Sequence, residues 1–103
     1  MITVTIHNNG FTAEGHADFA SEGQDIVCSA VSVLTQTTLL GLAKHIPRLN
    51  YIVDATGYLN CVLPELKDAT QRIKAKTLLS TMVLGLKDIE KNYPGYVKVI
   101  EPA

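Results

Sequence analysis

The side chains of this sequence best suited to making a nucleophile are one cysteine, Cys28, and one histidine, His16. A thiolate attacks carbonyl carbon readily, and an imidazole beside it can first hold its proton and later deliver one to a leaving amine. Both residues lie in GHADFASEGQDIVCSAVS, Gly15 to Ser32. Asp25 stands where a helix cap is expected, which puts Cys28 at the third helical position. A thiolate is stabilised at the positive end of a helix dipole, and unbonded N–H groups there are candidate donors for a tetrahedral oxyanion. Ser32 falls one turn past Cys28 on the same helix face. Gly15 leaves room for close backbone approach beside the histidine. A buried helix cysteine and a surface strand histidine would show the same spacing, so spacing alone leaves both readings open. No Cys/His spacing resembles a structural zinc site, and a metal held by His16, Asp18 and Cys28 is weakly supported.

The elements that must position these residues follow from periodicity. Ile2, Val4 and Ile6 alternate with Thr3, Thr5 and His7, the pattern of a half-buried strand. Asn8-Asn9-Gly10 turns the chain into an antiparallel partner. There Phe11, Ala13, Gly15, Ala17 and Phe19 share one face, and Thr12, Glu14, His16 and Asp18 share the more polar one. From Asp25 to about Lys44 or His45, before Pro47, the spacing of Ile26, Val27, Ala30, Val31, Leu34, Thr38 and Leu42 predicts a largely buried helix. Residues 51–55 and 58–63 read as a second hairpin around Thr56-Gly57, with Cys61 a small buried hydrophobe. Asp68 opens a second helix with Ile73, Leu78, Leu79, Met82, Leu86 and Ile89 on its apolar side and Lys67, Arg72, Lys74, Lys76 and Lys87 around the rest. Asn92-Tyr93-Pro94-Gly95 ends it, and residues 96–100 make a fifth strand. The expected fold is α+β: a five-stranded, mainly antiparallel sheet with two helices, in the order ββαββαβ.

Composition narrows the function classes. A chain of 103 residues has room for one domain, residues 1–103, and 47% hydrophobic against 18% charged residues is an ordinary globular mixture. A formal net charge of -1 gives no general drive toward nucleic acid or anionic membrane. The N-terminus lacks the basic flank and apolar run of a signal peptide, and no segment reads as a membrane span, so a cytoplasmic protein with reduced cysteines is expected.

Gly15-His16-Ala17, followed by Gly23-Gln24-Asp25-Ile26-Val27-Cys28 and extending through Ser32, closely resembles the motif of the ribosomal-processing cysteine protease family, Prp. The resemblance spans the domain in element order and length. It implies a cysteine endopeptidase that removes the N-terminal extension of a large-subunit ribosomal protein, number twenty-seven, by cutting after an aromatic pair in an apolar leader. It further implies Cys28 and His16 as catalytic residues, Gly15, Asp25 and Ser32 as supporting ones, a homodimer, and no metal or other cofactor. The partner is then the leader peptide of the ribosomal protein.

On that reading Cys28 attacks the scissile carbonyl and His16 protonates the departing amine, then activates water for deacylation. Asp25 either caps the helix or orients His16, with capping favoured by its position. Phe19, Ala20, Ser21, Glu22, Gly23 and Gln24 form a candidate substrate loop over the cleft. Two other classes compete. A non-catalytic ribosome-associated protein could use the lysines and Arg72 of the second helix, against which stand the acidic balance and only six aromatic residues. A thiol-transfer protein would need a resolving cysteine near Cys28, and the sequence has none nearby.

Overall fold

The chain, described here by a computed structural model over residues 1–21 and 24–102, follows the expected element order. β1 (Ile2–His7) and β2 (Gly10–Glu14) form a hairpin; α1 (Ile26–His45) follows; β3 (Asn50–Val53) and β4 (Leu59–Val62) form a second hairpin; then come α2 (Ala69–Asn92) and β5 (Val97–Ile100). The sheet order is β3-β4-β2-β1-β5. Three of its pairings are antiparallel and one, β1 with β5, is parallel.

Alternation along the strands separates the two faces. Ile2 and Val4 of β1, Phe11 and Ala13 of β2, Leu59 and Cys61 of β4 and Val97 of β5 are buried in one cluster with Val27, Val31, Leu39 and Leu42 of α1 and Ala75, Met82 and Leu86 of α2. The opposite face carries most of the polar strand residues, beside Ile52 and Ile100. There His7 Nε2 lies 3.1 Å from Thr12 Oγ1, and Thr12 donates to Asn60 Oδ1 at 2.9 Å.

Several boundaries differ from the sequence reading. β2 was expected to continue to Phe19, but pairing with β1 stops at Thr3 opposite Glu14, and Gly15 leaves the extended region at φ 94. His16 and Asp18 therefore lie in an irregular segment, not on a strand, and Asp18 takes a positive φ of 57. β3 stops at Val53 because Asp54 begins a turn: its carboxylate accepts from the Thr56 hydroxyl at 2.6 Å and from the N–H groups of Thr56 and Tyr58.

The buried stripe of α1 is also rotated from the expected one. Val27, Val31, Thr35, Thr38, Leu39 and Leu42 are buried, whereas Ile26 is 56% exposed and Ala30 is exposed. Thr35 and Thr38 remain satisfied in the core by donating to the carbonyls of Val31 and Leu34, both at 2.8 Å. On α2, Ala75 takes the buried position expected for Ile73, which is 66% exposed. By length and mean hydropathy, 1.7, α1 is sufficient to cross a bilayer, unlike the sequence reading, but its inward face belongs to the core.

Candidate active site

Three pieces of chain meet at one end of the sheet. The segment after β2 brings Gly15 and His16, the first two turns of α1 bring Cys28 and Ser32, and the β3–β4 turn brings Asp54 to Gly57. Together they line a cleft of about 480 Å3, with Asp25, Ser29 and Gln36 also on its wall. A larger, more apolar cavity of about 830 Å3 lies by the β1–β2 turn and contains none of the expected site residues.

Gly15 occupies its place for a steric reason. A Cβ there would run into the backbone carbonyl of Met1, and φ 94 disfavours any side chain, so this close approach is reserved for glycine. The turn it makes sends His16 into the cleft, where it stands exposed. Cys28 is partly buried on the facing helix, and both cysteines are free thiols. Among the described residues no hydrogen bond joins His16 to Cys28; what brings them together is the shared cleft. Cys61 is fully buried in the core and its thiol is pushed up to about 11 by burial, the behaviour of a packing residue.

Asp25 is the cap of α1. One oxygen accepts from Cys28 N–H at 2.9 Å, and the other accepts from Phe19 N–H at 3.1 Å. These bonds, the one from Cys28 first, hold its carboxyl below the ordinary carboxylate range. Cys28 N–H is engaged by this cap, and Ser29 N–H is bonded to the Asp25 carbonyl at 3.1 Å.

The expected substrate loop divides. Ala20 lines the cleft. Phe19 does not: its ring lies edge-on to Tyr93 and Tyr96, with centroids 5.5 and 5.1 Å apart. Gln24 N–H donates to the Ser21 carbonyl at 3.0 Å. Glu22 and Gly23 lie outside the described residues. The sequence reading missed the opposite wall, Val53 to Gly57, because a turn signal says nothing about which distant element it will face. With Glu14, Asp18, Asp25 and Asp54 on its lining and, among the described residues, no lysine or arginine there, the cleft is rich in carboxylates.

A family model described as Cysteine protease Prp matches residues 1–98. The ribosomal processing cysteine protease Prp of Bacillus subtilis is 35% identical over 108 residues, covering 96% of each chain. The protein of the same name from Mycoplasma pneumoniae is 32% identical, covering 94% of this chain and 91% of its own. Among solved structures, the ribosomal processing protease Prp from S. aureus with a covalently linked product peptide superposes with a TM-score of 0.84 at 24% identity, covering 99% of this chain and 100% of that one. The chain, with its cysteine and histidine in one cleft, thus belongs to the cysteine protease Prp family.

Proposed function

We propose that this cysteine protease removes an apolar N-terminal leader from ribosomal protein twenty-seven of the large subunit, cutting after an aromatic pair, with Cys28 and His16 as its dyad. The observation that carries the dyad is the placement of the free Cys28 thiol and the exposed His16 ring on one cleft. The names of the curated relatives, ribosomal processing proteases, support the substrate.

In this mechanism the Cys28 thiolate adds to the scissile carbonyl. The imidazolium of His16 then gives its proton to the amide nitrogen as the C–N bond breaks, releasing the shortened protein with a new N-terminus and leaving the leader as a thioester on Cys28. Neutral His16 next takes a proton from water, whose oxygen attacks the thioester. The leader leaves with a carboxylate, and the thiolate is restored. Asp25 supports this through the backbone, tying the start of the loop to the start of α1.

The same reading places the enzyme in the cytoplasm as a homodimer. Two free cysteines suit a reducing compartment, and the exposed apolar residues of α1 suit a second copy. The test of the peptidase reading is incubation with a peptide whose apolar leader ends in Phe-Phe. Wild type should cut after the pair, and Cys28→Ala and His16→Ala should lose at least about 99% of the rate, in line with the roughly 10² or more supplied by such groups. Cleavage that survives Cys28→Ala overturns the mechanism.

A further inference from the structure

The two edges of the sheet are unlike each other. On β5 the N–H of Val99 is occupied by Glu90 Oε2 at 3.1 Å, and Lys98 and the Lys87–Glu101 ion pair add charge around it. On β3, among the described residues, no side chain bonds the outer edge, and Tyr51, Ile52 and Val53 are 52%, 57% and 46% exposed. An unblocked apolar edge invites a further strand.

Register shows which groups it offers. Asp54 N–H donates to the Tyr58 carbonyl at 3.0 Å, and bonded pairs alternate along an antiparallel ladder. Ile52 opposite Asn60 and Asn50 opposite Val62 therefore bond inward. The N–H and C=O groups of Tyr51 and Val53 point out. Their side chains lie on the helix-covered face, in register with the buried Cys61 and Leu59, but extend beyond that cover. Val53 is also on the wall of the cleft that holds Cys28, facing Ser29, Ser32 and Gln36 of α1. Cleft and edge are continuous.

We infer that the apolar leader of the substrate binds as an added strand along β3, pairing its backbone with Tyr51 and Val53 and thereby delivering the scissile bond to Cys28. This rests on the peptidase reading and specifies how the leader is held. Pairing gives affinity for an extended chain, and the period of the strand gives selectivity: alternate leader side chains lie over Tyr51 and Val53, and those between face solvent.

The experiment is a methylation scan. Leader peptides ending in Phe-Phe are N-methylated at one amide at a time, and kcat/KM is measured with the wild-type protein. The expected profile has a period of two, with losses of roughly tenfold at alternate amides and little between, about the factor that one hydrogen bond supplies. Val53→Pro removes one outward donor at an edge position where proline is tolerated. It should raise KM for the unmethylated peptide by a similar factor and leave the alkylation rate of Cys28 by iodoacetamide unchanged. A flat scan, with the unmethylated peptide still cut in a Cys28-dependent way, overturns the pairing and spares the peptidase reading. Wild-type KM in an alkylation-competent Val53→Pro protein also overturns the pairing. A flat scan with altered sedimentation of Val53→Pro assigns the edge to a second copy instead. If wild type does not cut the unmethylated peptide at all, the peptidase reading fails and the inference falls with it.

Discussion

Asp25 uses both carboxylate oxygens on backbone N–H groups, so its charge acts on chain geometry. Asparagine has one acceptor oxygen where aspartate has two. Asp25→Asn should therefore keep the cap at Cys28 and release Phe19, raising KM more than it lowers kcat, whereas Asp25→Ala should lower both the melting temperature and kcat. Steady-state kinetics and thermal melts of the two variants check this. The pH dependence has a definite sign. A carboxyl lowered in the folded state stabilises it fully above the ordinary value, about 3.9, and the contribution fades as pH falls through the lower folded value. Wild type should consequently lose its advantage over Asp25→Asn on acidification below about pH 4.

At the scale of elements, the crossing of α1 and α2 is set by small residues. A Cβ on Gly85 would come 2.7 Å from Leu34 Cδ2, so the helices meet where one has no side chain. Gly85→Leu should cost about 1–3 kcal/mol by overpacking, measured by denaturant unfolding. The element order and the cap at Asp25 were legible because each has a local cause: alternation in residues 2–7, a turn at Asn8-Asn9, an acid ahead of an apolar helix. The rotated face of α1 was not. Ile26 and Val27, or Ala30 and Val31, are equally apolar neighbours, and only the partner surface decides which of each pair turns inward. The strand expected at His16 fails for a similar reason. Alternation continues in the sequence past Glu14, where the pairing with β1 stops and Gly15 turns the chain away. The wall formed by Asp54 to Gly57 depends on the order β3-β4-β2, a long-range fact that no local pattern carries.

At the scale of the molecule, the outward face of α1 repeats an apolar residue at Ile26, Val33 and Leu40, which are 56%, 66% and 71% exposed. This heptad interval matches a helix-to-helix seam. If it joins the proposed homodimer, Val33→Lys with Leu40→Lys should yield a folded monomer, read by sedimentation equilibrium with unchanged circular dichroism. The parallel pairing of β1 with β5 has a different kind of consequence. β1 is an interior strand, yet one of its two neighbours is Val97–Ile100, at the other end of the described chain. During synthesis β1 must wait for residues 97–100 to emerge before its second ladder can close, since loop closure on that scale precedes any reward from the contact. Ile2 and the Met1 carbonyl beside Gly15 form part of the cleft's foundation. The closing of the β1–β5 ladder therefore bears on the cleft as well, because Ile2 belongs to both.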